Sequence, residues 1–151
     1  MSERIGGVIV SHGQVANELL SAAETVVGDL VHIAAVSIGW HDDVEAAKSE
    51  IERAIKQVSN GKGVLLMTDM FGGTPTNISA MFIKENEVEL VTGVNLPMVL
   101  KCAALQKSGK SVVEIAHVAK DRGQRSICVA SDLLADEAAG SPGVFPEGTA
   151  R

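Results

Sequence analysis

The most informative stretch of the chain is residues 63–77, which read GVLLMTDMFGGTPTN. The first part, Gly63–Thr68, is a short aliphatic run of the kind found in strands that are buried on both faces of a sheet. After Asp69 the sequence becomes rich in glycine, and Thr74 followed by Pro75 has the order of a helix cap and a first-turn residue. This stretch predicts a buried strand, a polar loop at its carboxyl end, and a helix that starts within the loop.

The remaining chain repeats this alternation of aliphatic runs and amphipathic stretches. The other predicted strands are Ile5–Val10, Val31–Ile38, Val88–Thr92 and Ser126–Ala130. The predicted helices lie between Gly13 and Gly28, between Asp42 or Asp43 and Asn60, from Thr74 through Phe82, from Met98 to Lys107, and after a capping box formed by Ser111 and Glu114. Strands that alternate with helices pair in parallel and are joined by right-handed crossovers. We therefore expect an α/β fold with a single open, mainly parallel sheet covered by helices on both faces.

The length and composition of the chain fit one domain with an aliphatic core. The 151 residues are 46% hydrophobic but only 3% aromatic, so Ala, Val, Leu and Ile must build most of that core. From Ala139 onward the sequence AGSPGVFPEGTAR is rich in small residues, glycine and proline and has no periodicity. We predict one domain over residues 1–135 and a flexible C-terminal tail over residues 136–151.

The charge and hydropathy of the chain argue against several classes of partner. The formal net charge is -6, and the sequence lacks the clustered Lys and Arg that nucleic acids and acidic membrane surfaces require. No apolar run approaches the roughly 20 residues that span a bilayer, and the first residues, MSERIGG, do not have the pattern of a secretory signal. We expect a cytoplasmic protein with no nucleic-acid partner and no insertion into a membrane. Cys102 and Cys128 fall in a predicted helix and a predicted strand, and we expect both to be buried free thiols.

Three polar segments each follow a predicted strand. They are His12, the loop Asp69–Thr76, and the loop Gly93–Pro97. Because the carboxyl ends of parallel strands meet at one edge of the sheet, these segments are expected to converge although they are distant in sequence.

His12 has the chemistry of a nucleophile in phosphoryl transfer. A neutral imidazole has one unprotonated nitrogen that can attack phosphorus if the other nitrogen is held as the proton-bearing one. Asp69 is suited to accept a hydrogen bond from that second nitrogen and to favour the positive charge that develops on the ring. The pair therefore predicts a nucleophilic histidine oriented by a carboxylate. A structural His12 and an Asp69 that only caps a helix or turn are the alternatives.

The glycine-rich loop has the groups that a phosphoryl anion requires. Gly72 and Gly73 allow close backbone approach, Thr74 has a hydroxyl, and a helix that begins nearby directs free N–H groups at an anion. Gly13, directly after the histidine, is a further candidate contact at the start of a second helix. The loop lacks the Lys and hydroxyl of a Walker A sequence, so it does not predict an ATP site. We expect no cofactor. The alternative for this loop is ordinary turn chemistry.

The other histidines predict no second reactive site. His32 falls within a strand pattern and His117 lies off the apolar face of its helix, so structural or solvated roles are favoured for both. His41 and Trp40 lie on a loop after the second strand, where they could contact a partner. A chelatase-like metal enzyme remains an alternative, but it needs more ligands than His12 and His41, and no metal-ligand spacing is found. A flavodoxin-like binding module with an unreactive His12 is a third interpretation.

At these residues the chain resembles the mannose-class EIIA domains of the bacterial phosphoenolpyruvate-dependent sugar phosphotransferase system (PTS). The resemblance covers roughly residues 4–130 and is carried by Ser11–Gly13, Asp69–Asn77 and Gly93–Met98, in this order and each behind a strand. It implies a phosphocarrier in which His12 is phosphorylated on the nitrogen distal to the backbone, Asp69 bonds the proximal nitrogen, and Thr74 with its neighbours contacts the phosphoryl group.

The resemblance also implies partners. The phosphoryl donor is expected to be an HPr protein and the acceptor a histidine of a separate EIIB protein, since the chain has no attached EIIB domain. The side chains expected to contact these partners are Met70, Phe71, Asn95 and Pro97. Related domains form homodimers, in some cases by exchange of a C-terminal strand, for which Ser126–Ala130 is the candidate. Met70 stands where some relatives have a hydroxyl residue, which removes one expected phosphate contact. The output is left open between sugar transport, a regulatory phosphorelay, and a role as phosphoryl donor with dihydroxyacetone kinase.

Overall fold

The computed structural model describes residues 3–39 and 43–138, and within them the chain forms one sheet with helices on both sides. The elements in chain order are β1 (Arg4–His12), α1 (Val15–Val27), β2 (Ile33–Ile38), α2 (Val44–Val58), β3 (Gly61–Thr68), α3 (Gly73–Ala80), β4 (Val88–Thr92), α4 (Leu96–Leu105), α5 (Val112–Arg125) and α6 (Ala130–Ala138). No helix of the described residues has both the length and the apolarity needed to cross a membrane.

The sheet has the order β2-β1-β3-β4, and all of its pairings are parallel. The expected α/β fold with an open parallel sheet is therefore confirmed. From β1 the chain crosses to β2 on one side and then returns to β3 on the other, so the direction of winding reverses between β1 and β3. At such a reversal the loops after the two strands diverge and leave a crevice outside their carboxyl ends, where ligands of open α/β sheets bind.

Side-chain alternation along the central strands builds a core on each face of the sheet. On β1, Ile5 and Ile9 are buried on one face beneath α1, α4 and α5, whereas Val8 and Val10 are buried on the other beneath α2 and α3. Successive residues of a strand point to opposite faces, so a continuous aliphatic run is what two covered faces require. The helices begin at polar caps. Asp43 caps α2, and Ser111 caps α5, where its hydroxyl accepts the N–H of Glu114 and donates to the Glu114 carboxylate.

The C-terminal part differs from the predicted strand at Ser126–Ala130. Ser126 instead ends α5, with its N–H and its hydroxyl both donating to the carbonyl of Arg122, and α6 begins at Ala130. The apolar run Ile127–Val129 is only three residues long and pairs with no strand of the described chain, so its backbone joins two helices. A short β-branched run without a neighbour to pair with does not form a strand. The described sheet accordingly has four strands instead of the five predicted.

Smaller differences follow from local backbone geometry. His32 has a φ of 59° and lies in a turn, so β2 begins after it at Ile33 and not at Val31. Cys102 is buried as expected, but Cys128 is exposed because the strand predicted to bury it is absent. Helix α6 continues to Ala138, across the predicted domain boundary at residue 135. Residues 139–151 of the predicted tail, with Trp40 and His41, lie outside the described residues, so those calls stay predictions.

Candidate functional site

His12 and Asp69 meet at the carboxyl ends of β1 and β3. Because Val10 is in register with Thr68 across the two paired strands, the next residues along each strand emerge side by side. The Oδ2 atom of Asp69 accepts two hydrogen bonds from His12, one from the backbone N–H at 2.9 Å and one from the ring nitrogen Nδ1 at 2.8 Å. The side chain of His12 is 49% exposed and that of Asp69 is 16% exposed. The convergence that the sequence predicted therefore occurs, with the ring open to solvent and the carboxylate largely covered.

These two hydrogen bonds assign the roles of the ring nitrogens. An ionised carboxylate only accepts hydrogen bonds, so the proton between the two side chains belongs to Nδ1 of His12. In the neutral ring the distal nitrogen, Nε2, is then unprotonated and has a free lone pair. The second bond, to the backbone N–H of His12, fixes the carboxylate relative to the main chain as well as to the ring.

The N-terminus of α3 lies against the free nitrogen. A Cβ atom placed on Gly73 would stand 3.0 Å from Cε1 and 3.1 Å from Nε2 of His12, so only glycine leaves this approach open. Gly72 and Gly73 also have φ angles of 90° and 80°, in the region that favours glycine. No side chain caps this helix. Since the first N–H groups of a helix have no intrahelical partner, those of Gly73 and Thr74 are free to face an anion beside Nε2. Thr74 itself is exposed.

The helix begins slightly earlier than the sequence predicted. Thr74 was expected as the cap, but the cap is Gly72 and Thr74 is the second helical residue. Gly72 and Gly73 adopt positive φ angles, which turn the chain sharply after β3 and allow the helix to start two residues sooner. The correction moves both glycines into the helix terminus and leaves the expected donors next to His12.

Gly13 and the start of α1 lie on the other side of the histidine. Gly13 has a φ of 50°, and its N–H donates to the carbonyl of Ile38 at the end of β2. The hydroxyl of the preceding Ser11 is buried and accepts the N–H of Ala16 in the first turn of α1. The N–H of Gly13 is thus already used, whereas the space above its Cα is open. A contact between Gly13 and a phosphoryl group stays a prediction.

Two further loops reach the site. Met70 and Phe71 follow Asp69 directly and are 51% and 85% exposed, which is unusual for large apolar side chains. The N–H of Val94 donates to the carbonyl of Thr68, and this bond ties the third loop to the end of β3. In that loop the side chain of Asn95 caps α4 and donates to the carbonyl of Gly123, so its polar atoms are engaged within the chain. Pro97 is half-buried in the first turn of α4.

A buried pair of hydroxyls beneath the site had no role in the sequence analysis. Thr76 donates to the carbonyl of Met70 at 2.6 Å, and its oxygen lies 2.8 Å from the hydroxyl oxygen of Thr68. The spacing of the two threonines across the loop was the available signal, but only the folded turn reveals that they touch.

The remaining polar groups lie away from the histidine. An open groove of about 660 Å³ runs along β4 between α3 and α5, with Phe71 and Thr76 at its near side and His117 and Lys120 on α5. Among residues 3–39 and 43–138, no group of three or more His, Cys, Asp and Glu side chains is arranged to hold a metal ion. His32 bonds the carbonyl of Val58 through Nδ1, and His117 is exposed.

The structure is that of an α/β protein in which an exposed histidine, with one ring nitrogen held by a carboxylate and the other facing a helix N-terminus, lies at the reversal point of a parallel sheet. The family model EIIA-man, described as the PTS system fructose IIA component, matches residues 6–119, and the chain belongs to this family. The resemblance seen in the sequence is thereby confirmed.

Named relatives and a solved structure agree with this family assignment. The chain is 29% identical over 141 residues to the PTS system mannose-specific EIIAB component of Escherichia coli, covering 89% of this chain and 42% of that protein. It is 28% identical over 131 residues to the PTS system fructose-specific EIIA component of Bacillus subtilis, covering 86% of this chain and 89% of the relative. The mannose/sorbose-specific IIA subunit of the phosphotransferase system from Enterococcus faecalis superposes with a TM-score of 0.73 at 27% identity, over 85% of this chain and 95% of that one.

Proposed function

We propose that this chain is a phosphocarrier that accepts a phosphoryl group from phospho-HPr on Nε2 of His12 and transfers it to a histidine of an EIIB protein. The observation that carries the proposal is the different state of the two ring nitrogens of His12: Nδ1 bonds Asp69, whereas Nε2 stays free beside α3. Membership of the EIIA family supports it, because PTS components act in phosphoryl transfer.

In the proposed first step, the lone pair of Nε2 attacks phosphorus. A bond between Nε2 and phosphorus forms while the bond between phosphorus and the donor breaks, and the donor keeps that electron pair. The ring of His12 keeps its proton on Nδ1 and becomes positively charged. The Asp69 carboxylate, already bonded to Nδ1, favours this charge and holds the ring in place during the attack. Transfer to the acceptor reverses these events, with Nε2 leaving phosphorus.

The phosphoryl oxygens need donors that are in place before the reaction. The free N–H groups of Gly73 and Thr74 and the Thr74 hydroxyl are proposed to contact them, because a helix N-terminus favours negative charge and presents unpaired N–H groups. Preorganised donors of this kind stabilise charge in the transition state without having to reorient.

The exposed side chains around the site are proposed to receive the partner proteins. Met70 and Phe71 follow Asp69 in the sequence and expose large apolar side chains, so a donor or acceptor that brings its phosphoryl site to Nε2 is proposed to contact them. An EIIB acceptor is supported by the Escherichia coli relative, whose name joins an A and a B component. The identity of the acceptor sets the output, which would be sugar transport, a regulatory relay or phosphoryl supply to dihydroxyacetone kinase.

The proposal is tested by incubating the protein with phosphoenolpyruvate labelled with ³²P, Enzyme I and HPr. We expect one acid-labile, base-stable phosphate per chain, absent in His12→Ala. The matched control is His117→Ala, which removes an exposed histidine on α5 and should leave labelling unchanged. A wild-type chain that takes up no label, or a His12→Ala variant that still does, would contradict the proposal.

A further inference from the structure

The loop that carries Asp69 is held from inside by one buried hydroxyl. Thr76, on α3, is 7% exposed and donates to the carbonyl oxygen of Met70, while the hydroxyl of Thr68, at the end of β3, is 0% exposed and lies 2.8 Å from the same Thr76 oxygen. Thr68 and Thr76 therefore connect the strand, the loop and the helix that together form the site.

The proton count fixes the direction of these hydrogen bonds. A carbonyl oxygen only accepts, so the single hydroxyl proton of Thr76 goes to Met70. The bond between the two threonines must then be donated by Thr68 and accepted by Thr76. The result is a directed chain from Thr68 through Thr76 to the Met70 carbonyl, in which every hydroxyl proton is used.

Asp69 lies between Thr68 and Met70, the two residues that these hydrogen bonds hold in place. Thr68 precedes it and Met70 follows it, so the backbone is tethered on both sides of the carboxylate. The carbonyl of Thr68 is fixed further by the N–H of Val94. The hydrogen bonds from Thr68 through Thr76 to Met70, called the tether below, also involve α3, because Thr76 lies on that helix. Since the first residues of α3 face Nε2 of His12, the tether sets the distance between the Asp69 carboxylate and α3.

The carboxylate itself has few other restraints. Its Oδ2 bonds only groups of His12, and its Oδ1 is buried without a hydrogen-bond partner in the described part of the chain. No other side chain there orients Asp69 by a hydrogen bond. The position of the His12 and Asp69 pair relative to α3 therefore depends on the backbone, which the tether constrains together with the Val94 hydrogen bond and the pairing of β1 with β3.

We propose that Thr76, with Thr68 as its donor, is a positioning residue that sets Asp69, and through it the His12 ring, against the N-terminus of α3. This inference rests on the proposed function, in which Nε2 of His12 is the nucleophile. A misplacement of about 1 Å in a reacting group can reduce a rate by about a hundredfold, so a tether of this kind has a measurable effect on transfer.

The test compares Thr76→Val, which removes the hydroxyl at nearly constant volume, with Thr76→Ser, which keeps it. The control is Thr25→Val, which removes an exposed threonine hydroxyl that donates to a backbone carbonyl within α1. Rapid-mixing measurements of His12 phosphorylation by phospho-HPr yield the maximal rate and the half-saturating donor concentration for each variant. Nuclear magnetic resonance of the ¹⁵N-labelled imidazole reports whether the proton remains on Nδ1.

We expect Thr76→Val to remain folded and to lose about 10- to 100-fold in maximal rate, with the half-saturating concentration changed by less than about twofold. Its His12 Nδ1–H signal should shift or broaden. Thr76→Ser and Thr25→Val should retain the wild-type rate within about threefold and the wild-type ring signal. A folded Thr76→Val with the wild-type rate and ring signal, or a Thr76→Ser as impaired as Thr76→Val, would overturn the inference.

Two outcomes separate this inference from other causes. If Thr76→Val does not fold, Thr68→Val takes its place, and an unchanged rate and ring signal in that variant would count against the tether. If the wild-type protein is not phosphorylated at all, the proposed function fails, and the ring signal of Thr76→Val still decides whether the tether positions His12.

Discussion

A single methyl group on Gly73 should block the proposed reaction while the fold persists. In Gly73→Ala the new Cβ would stand 3.1 Å from Nε2 and 3.0 Å from Cε1 of His12, closer than ordinary van der Waals contact. The ring must give way by a few tenths of an ångström, and on its other side it is held by Asp69 at 2.8 Å. A reacting atom has to come within about 3–3.5 Å of the nucleophile, so the methyl group competes with phosphorus for the same space.

Gly72→Ala is the matched control for this prediction. Gly72 has a φ of 90° and a ψ of 179°, a region occupied almost only by glycine, so alanine there costs about 1–3 kcal/mol. An added Cβ at this position meets no atom within 4 Å. Alanine is strained at both positions because both have a positive φ, whereas the obstruction of Nε2 occurs only at Gly73. A difference between the two variants therefore measures the obstruction.

The assay is the single-turnover rate of His12 phosphorylation by phospho-HPr, with the melting temperature of each variant measured alongside. We expect Gly73→Ala to be slowed at least about a hundredfold, which corresponds to about 2.7 kcal/mol of lost transition-state stabilisation, and Gly72→Ala to be slowed less than about tenfold. Equal rates in the two folded variants would refute two assignments: that Nε2 of His12 is the nucleophile, and that the N-terminus of α3 faces it.

Four further predictions follow from the described contacts. Asp69→Ala should remain folded and slow phosphorylation about 10- to 100-fold, because a hydrogen bond to a charged group contributes about 1.5–3 kcal/mol, and unchanged transfer kinetics would refute the orienting role. Burial raises the pKa of Cys102 from 9.0 to about 12, so one thiol, the exposed Cys128, should react with a thiol reagent in the folded chain at neutral pH, and two after denaturation. For the same reason, Cys102 lowers the free energy of unfolding as pH rises from about 9 toward 12, where only the unfolded chain releases the proton; Cys102→Ala should lack this pH-dependent part. Ile127 and Val129 are 76% and 64% exposed, and we expect a homodimer with twice the mass of 15.7 kDa in sedimentation equilibrium; a monomer at micromolar concentration would contradict it.

The parts of the site that follow from chain topology could be predicted from the sequence. Parallel pairing places the ends of all strands at one edge, so the proximity of His12 and Asp69 required only the correct assignment of β1 and β3. The turn at Gly72 and Gly73 and a helix start close to Pro75 could also be predicted, because glycine permits the backbone angles of a sharp turn and proline suits the first turn of a helix.

The parts that depend on tertiary contacts could not be predicted. The Thr68 and Thr76 hydroxyls meet only after the loop between them has closed, and both residues fit their strand and helix without that contact. Ile127–Val129 has the composition of a strand, but a strand exists only where a neighbour accepts its backbone hydrogen bonds. The same dependence explains Cys128, whose predicted burial required the strand that did not form.

The electrostatics of the site suit the proposed carrier role, in which the protein must release the group that it binds. Within the described residues, the only ion pair of Asp69 is with His12, and neither side chain pairs with a Lys or Arg. The groups proposed to contact the phosphoryl oxygens are the N–H groups of Gly73 and Thr74 and a hydroxyl, all of them neutral. Hydrogen bonds from charged donors are roughly twice as strong as neutral ones, and a permanent cation would therefore hold the phosphoryl group more tightly. A carrier has to take up and give away the same group with similar ease. The positive charge on the His12 ring would appear on phosphorylation and disappear on transfer, opposite the fixed Asp69 carboxylate. This requirement is met because the stabilising positive charge leaves together with the phosphoryl group.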